Sequence, residues 1–220
     1  RKWSEQKQGI FVNTRMGQEG APWILGEIQQ YRDLRALTDG TKGTWIATLP
    51  LEWAFRRDPN DTGLARGFAY LPADLSYWNA NGERYASPET RKDYPITEWE
   101  RLRSDLYAQA QGVLHPDWQS FSGFLWYKTD VTLTVEQLAS RVHVRFPGLF
   151  NEAWLYINGG LVAHRPQHPM AWHNDYRFEW DVDLTDRLRP GRNDITLRLH
   201  NTWHNGGLFR RPFLYAPTGE

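Results

Sequence analysis

The sequence predicts an all-β chain, folded as an antiparallel β-sandwich behind one short N-terminal helix, on three observations. First, apolar and polar residues alternate beyond Gly123. "RVHVRF" sets Val142, Val144 and Phe146 against Arg141, His143 and Arg145, and "DITLRLH" repeats the pattern with Ile195, Leu197 and Leu199. "YRFEWDVD" does the same with Tyr176, Phe178, Trp180 and Val182. Second, each run has a single apolar face, which is the habit of antiparallel rather than parallel sheets. Third, Gly-, Pro- and Asn-rich turns such as "RPGRN" separate the runs.

The elements follow in chain order. Residues 1–40 read as a linker or docking segment with one helix, because "ILGEIQQYRDLRAL" spaces Ile24, Ile28, Tyr31 and Leu34 or Arg35 at helical intervals. Leu25 and Leu37 flank that stripe, and Asp39-Gly40 closes it. The sandwich occupies 41–220. "TWIATLPLEWAFRRD" is strand-like and ends in the turn cluster "DPNDTG". Residues 64–122 have a poor period, and "TEWERLRSDLYAQAQG" fits a short helix by propensity or a strand and turn by context.

"WLYINGGLVAH" predicts a hairpin about Asn158-Gly159, since both central residues of a type I′ turn need positive φ. Its expected register pairs Tyr156 with Leu161 and Leu155 with Val162. Leu155, Ile157 and Val162 then share one face, and Trp154, Tyr156 and Leu161 the other.

Composition narrows the function classes. Among 220 residues, 26 basic and 26 acidic side chains cancel, leaving no global field for nucleic acid or an anionic membrane. No Cys is present, so disulfides, thiol nucleophiles and thiolate metal sites are excluded. No run reaches the roughly 18 apolar residues of a membrane helix. A start at Arg1 rather than Met is expected of a processed protein or of a piece cut from a longer one, and the cut piece is favoured. Twelve Trp beside 10 Tyr and 10 Phe exceed the ordinary needs of one core and supply stacking platforms.

The order of motifs "SGFLWYKTDVTL", "RVHVRFPGLFNEAWLYINGGLVAHR", "YRFEWDVDLTDRLRPGRNDITLRLHN" and "GGLFRRPFLYAP" resembles the sugar-binding domain of glycoside hydrolase family 2 enzymes, of the β-galactosidase and β-glucuronidase type. The resemblance covers about residues 45–217 and is specific in its second half. It implies a galactose-binding-like jelly roll and a non-catalytic module, because the family keeps its two glutamates on a separate barrel. It also implies carbohydrate and a neighbouring catalytic domain of the same polypeptide as partners, and an extracellular or periplasmic setting.

Candidate chemistry lies in the loops. "PMAWHNDY" brings Trp172, His173 and Asn174 together, and "NTWHNGG" brings Trp203, His204 and Asn205. An indole stacks on the C–H face of a sugar while His and amide groups bond its hydroxyls, so both clusters are expected to bind ligand, with Trp118 and Trp78 as weaker members. The competing use of such rings is to plug the sandwich or dock a neighbour. Acids in "DVDLTD" and "ITEWE" invite a glycosidase pair, which needs about 5–10 Å between carboxyls, yet outward strand acids are ordinarily solvated. His200 and His204 have metal-ligand spacing without an accompanying glutamate motif. A stand-alone polysaccharide lyase using His173, Asn174, Tyr176 and Arg177 is the rival from another class, and a purely structural interdomain scaffold is the third. No cofactor is expected. A structural calcium on Asp58, Asn60 and Asp61 competes with plain turn chemistry, and one of Arg210 and Arg211 is expected to turn inward and need a carboxylate.

Overall fold

A computed structural model describes residues 21–75, 99–114, 121–150, 152–167, 179–202 and 206–218, with the backbone alone for 21–28. Among the described residues one α-helix, α1 (Ala21–Ala36), precedes twelve strands. In order these are β1 (Gly43–Thr48), β2 (Glu52–Asp58), β3 (Glu100–Arg103), β4 (Gly123–Leu133), β5 (His143–Phe146) and β6 (Gly148–Leu149). The later six are β7 (Glu152–Ile157), β8 (Gly160–Arg165), β9 (Trp180–Asp183), β10 (Gly191–Asn201), β11 (Leu208–Arg210) and β12 (Phe213–Pro217). They form a six-stranded sheet, β3-β2-β4-β10-β7-β8, a four-stranded sheet, β1-β12-β5-β9, and the small pair β11-β6.

Every pairing among the described strands is antiparallel, and the chain passes repeatedly between the two large sheets. This is the expected all-β sandwich. The core lies between the sheets, built by the inward faces that alternation marked: Val142, Val144 and Phe146, then Ile195, Leu197 and Leu199, are all buried. The described part of "TEWERLRSDLYAQAQG", from Trp99 on, forms β3 and a 3₁₀ turn at Gln109–Gln111 rather than an α-helix.

Two sequence expectations need correction. The hairpin turn has the expected backbone, with φ of 50° at Asn158 and 83° at Gly159, and Tyr156 faces Leu161. Leu155, however, pairs with Ala163, because a bulge inserts Val162. Both Val162 and Ala163 then pack toward the core opposite one residue, which is how a bulge distributes two side chains. The faces survive although the register shifts.

The second correction concerns α1. Tyr31 of the expected apolar stripe is exposed, while Gln30 is 7% accessible. The Gln30 amide donates to the Pro147 carbonyl at 3.1 Å and to Glu179 at 2.5 Å, and its oxygen accepts from Arg210. The helix is therefore held by a satisfied polar side chain at the rim of the sandwich. Where a carboxylate was expected for one of the two arginines, Arg210 donates to the Gln30 amide oxygen and Arg211 to the Leu49 carbonyl at 2.7 Å.

Gly159 has a second constraint besides its φ: a Cβ there would lie 2.9 Å from Tyr70 Cβ. Gly159→Ala is expected to cost about 1–2 kcal/mol, from the left-handed backbone and the contact together, read as a lower urea midpoint with an unchanged slope.

Candidate functional site

The outer face of the six-stranded sheet carries the functional inventory, and strand register arranges it in rows. Asp58, Phe124, His200 and Glu152 are neighbours across β2, β4, β10 and β7. The next row is Arg56, Trp126, Arg198, Trp154 and His164. Ala54, Lys128, Thr196, Tyr156 and Leu161 make the third, followed by Asp130 beside Asp194 near the hairpin tip. Outward residues on a half-solvated sheet are normally unremarkable; here aromatic and cationic groups are adjacent.

Arg198 lies at the centre of the second row and is only 5% accessible. Its guanidinium lies 3.9 Å from the Phe124 ring centroid and 4.3 Å from that of Trp154, so it is flanked by two π-faces. Its NH2 group donates to Asp61 at 2.5 Å. The stacking continues outward: Phe124 lies against His200 with centroids 4.4 Å apart, and Trp154 against His164 at 4.7 Å. Glu152 joins these ends, its two oxygens each 3.1 Å from an imidazole nitrogen of His164 or His200.

Residues 61–75 cross the sheet as a strap. Asp58 starts it, accepting from the backbone N–H groups of Thr62 and Gly63 at 2.8 Å each and from the Trp126 indole at 3.0 Å. Phe68 then packs edge-on to Trp126 and Trp99. Lys128 donates to the Phe68 carbonyl at 2.6 Å and Thr196 to that of Ala69 at 3.3 Å. Burial pushes the Lys128 ammonium down to about 8, against a smaller opposing pull from Asp194. Beyond the strap a groove of about 680 Å³ opens between Tyr70–Ala73 and the strand ends bearing Asp130, Arg192 and Asp194.

The sequence-predicted ligand residues Trp172, His173, Asn174, Trp203, His204, Asn205 and Trp118 lie outside the described residues, as do Trp78, Tyr176 and Arg177. Their flanking strands are described. Asn201, which precedes the 203–205 cluster, pairs with Gly123, which follows the Trp118 segment; Arg165, which leads toward Trp172, pairs with Ala153 at the start of β7. All three segments depart from the end of the sheet that carries Phe124, Glu152 and His200.

The other candidates have structural employment. Asp58 is saturated by N–H donors and Asp61 pairs with Arg198, so these oxygens are committed where calcium ligands were considered. Among the described residues no cluster of three or more His, Asp or Glu has a geometry for a metal ion. In "DVDLTD", Asp181 accepts from Tyr215 at 2.7 Å and lies 2.7 Å from His143. The Thr185 hydroxyl and backbone N–H, with the nearby His143 and Arg141, hold Asp183 down to about 2, which denies it a general-acid role near neutral pH. Glu100 of "ITEWE" pairs with Arg57 at 3.4 Å.

Sequence reasoning missed Arg198, Lys128 and Tyr70. The first two stand at outward positions of alternating strands, a signal that was present but could not say which neighbours they would meet.

The molecule is thus an antiparallel sandwich with one polar-aromatic sheet face, an architecture that occurs as part of known glycosidases. A β-glucuronidase of Ruminococcus gnavus superposes with a TM-score of 0.57 at 13% identity, over 80% of this chain and 29% of that one. A β-glucuronidase from an uncultured Clostridium sp. superposes with the same score at 14% identity, over 77% of this chain and 28% of that one. At these identities the likeness is one of fold. In sequence, the exo-β-D-glucosaminidase of Amycolatopsis orientalis is 30% identical over 80 residues, or 36% of this chain and 7% of that enzyme. The chain therefore spans under a third of each of these three proteins. No protein-family model matches it.

Two predictions test this face. Arg198→Lys keeps the charge but loses the planar group between two rings, and is expected to cost about 1–2 kcal/mol in urea denaturation. Asp61→Asn removes only a half-exposed ion-pair partner and should cost less than about 1 kcal/mol. For Lys128, the folded state binds the proton less tightly than the unfolded chain, whose ordinary value is 10.5. The burial penalty is full below about pH 8 and is relieved as pH rises from about 8 toward 10.5. The urea midpoint of the wild type should accordingly rise relative to Lys128→Met across that window, whereas a constant difference would contradict the assignment.

Proposed function

We propose that the chain is a non-catalytic carbohydrate-binding or accessory module of a larger glycoside hydrolase-type protein, holding poly- or oligosaccharide at one end of its six-stranded sheet. The observation that carries this reading is convergence. The segments bearing Trp118, Trp172 and Trp203 all leave strands at the end where Phe124, Trp154, His164 and His200 are stacked. Rings offer flat apolar area, and His or amide groups at their edges supply hydroxyl partners, which together are the requirements of a pyranose.

The fold likeness to part of two β-glucuronidases and the local similarity to an exo-β-D-glucosaminidase support a glycan as the ligand class. The described acids that might have formed a hydrolytic pair are occupied by structural partners, which favours an accessory over a catalytic role. An extracellular or periplasmic setting, and the division into a docking segment 1–40 and a sandwich 41–220, belong to the same proposal.

Affinity electrophoresis through gels containing soluble polysaccharides tests it. Trp172→Ala and Trp203→Ala are each expected to weaken retention about tenfold, equivalent to about 1.4 kcal/mol, with the urea midpoint unchanged. Retention by neither the wild type nor any variant, or retention indifferent to both substitutions, would remove the loop indoles from the binding account.

A further inference from the structure

The groove beyond the strap is built differently from the loop end and lies at the opposite end of the same sheet. Its volume of about 680 Å³ is within the ~300–1,000 Å³ typical of small-molecule sites. One wall is the strap, Ala69 through Ala73, apolar apart from the phenol of Tyr70. The facing wall is polar. Arg192 stands between two carboxylates, 3.5 Å from Asp130 and 3.2 Å from Asp194, and Lys128 lies in the floor beside Ala54.

Tyr70 is the telling residue. Its Cβ abuts Gly159, so closely that no side chain fits there, while the residue as a whole is 68% accessible. The base of the side chain is fixed by the hairpin and the strap, whose Tyr70 and Leu71 N–H groups both bond the Gly67 carbonyl. The far end of the ring lies over Gly67, where a Cβ would come within 2.9 Å of the Tyr70 Cζ and hydroxyl oxygen, so the exposed ring lines the groove already positioned and loses little freedom on binding.

Charge selects among ligands. The lining carries Glu52, Asp130 and Asp194 against Lys128, Arg189 and Arg192, three of each sign. A charged ligand therefore gains little net attraction. A carboxylate accepting from one hydroxyl beside a guanidinium donating to the next matches the alternating donor and acceptor needs of adjacent sugar hydroxyls.

We infer that this groove is a second saccharide site, which takes a neutral disaccharide unit with a C–H face on Tyr70 and neighbouring hydroxyls on Asp130, Arg192 and Asp194. The inference rests on the carbohydrate reading of the chain but on none of the loop residues invoked for it. It also gives the Asn158-Gly159 turn a role beyond chain reversal: Gly159 is the seat on which the platform residue stands.

The test is an NMR titration of the full chain with cellobiose, monitoring backbone amides, with glucosamine and glucuronate as cationic and anionic comparators. Cellobiose should shift the Thr129 and Gly159 amides with millimolar affinity and bind more tightly than either charged sugar. Tyr70→Ala and Asp194→Asn should each weaken it at least about fivefold, Tyr70→Phe should retain it, and Trp203→Ala should leave it unchanged. Equal circular dichroism and urea midpoints establish that the variants are folded. The inference is overturned if cellobiose leaves the groove amides unmoved, if Tyr70→Ala binds as well as wild type, or if a charged sugar binds more tightly. Loss of gel retention in Trp172→Ala and Trp203→Ala with silent groove amides would sink the groove alone. Groove shifts sensitive to Tyr70, with retention indifferent to the indoles, would sink the loop site alone.

Discussion

Eleven consecutive residue pairs join β4 to β10, from Gly123 opposite Asn201 to Leu133 opposite Gly191, and the two-residue period of those strands is the constraint on which the rest of the molecule depends. With register locked over that length, Leu125, Tyr127, Leu197 and Leu199 all point into the core. Phe124, Trp126, Lys128, Arg198 and His200 are forced to the other side. A slip of one residue would exchange the two sets, burying a guanidinium in the core and exposing the apolar face, so the pairing is strongly specified.

The outer face then has an energetic problem, because a guanidinium shielded from water loses hydration that one exposed carboxylate hardly restores. The molecule answers with π-faces on both sides of Arg198 and with a strap that is polar in its backbone and apolar in its side chains. Backbone carbonyls of Phe68 and Ala69 satisfy Lys128 and Thr196, while Phe68 covers Trp126. The strap thereby separates the face into two compartments of different character. One is stacked about Arg198 at the loop end; the other is open and charge-balanced near the hairpin tip.

The sandwich was legible because alternation reports burial directly, residue by residue, as at Val142, Val144 and Phe146. The position of the Asn158-Gly159 turn was equally plain, since few other pairs accept two positive φ values. The bulge at Val162 was not, because Val162 and Ala163 are both apolar and either could face Leu155. Nor was the strap: it follows neither period, and its attachments run through the Asp58 carboxylate and main-chain oxygens that side-chain patterns do not encode. The anchor of α1 was hidden for a related reason, since hydropathy assigns Gln30 to solvent. At the candidate site, the outward positions of Arg198 and His200 were readable, but their partners on β7 and β8 come from register between distant segments.

Gln30 reaches across the sequence to Glu179 and Arg210, and β1 is an edge strand whose one described ladder partner is β12. Leu49 likewise donates its N–H to Pro212 and accepts from Arg211. The front of the chain is therefore sewn to its back. During vectorial synthesis β1 can be touched early by Gln137, which donates to the Ile46 carbonyl, and α1 by Pro147, which accepts from Gln30, yet the described ladder partner of β1 emerges only with β12, some 160 residues later. Until then β1, carrying Trp45 and Ile46, lacks its ladder, and a strand edge left open in this way is a template for wrong pairing.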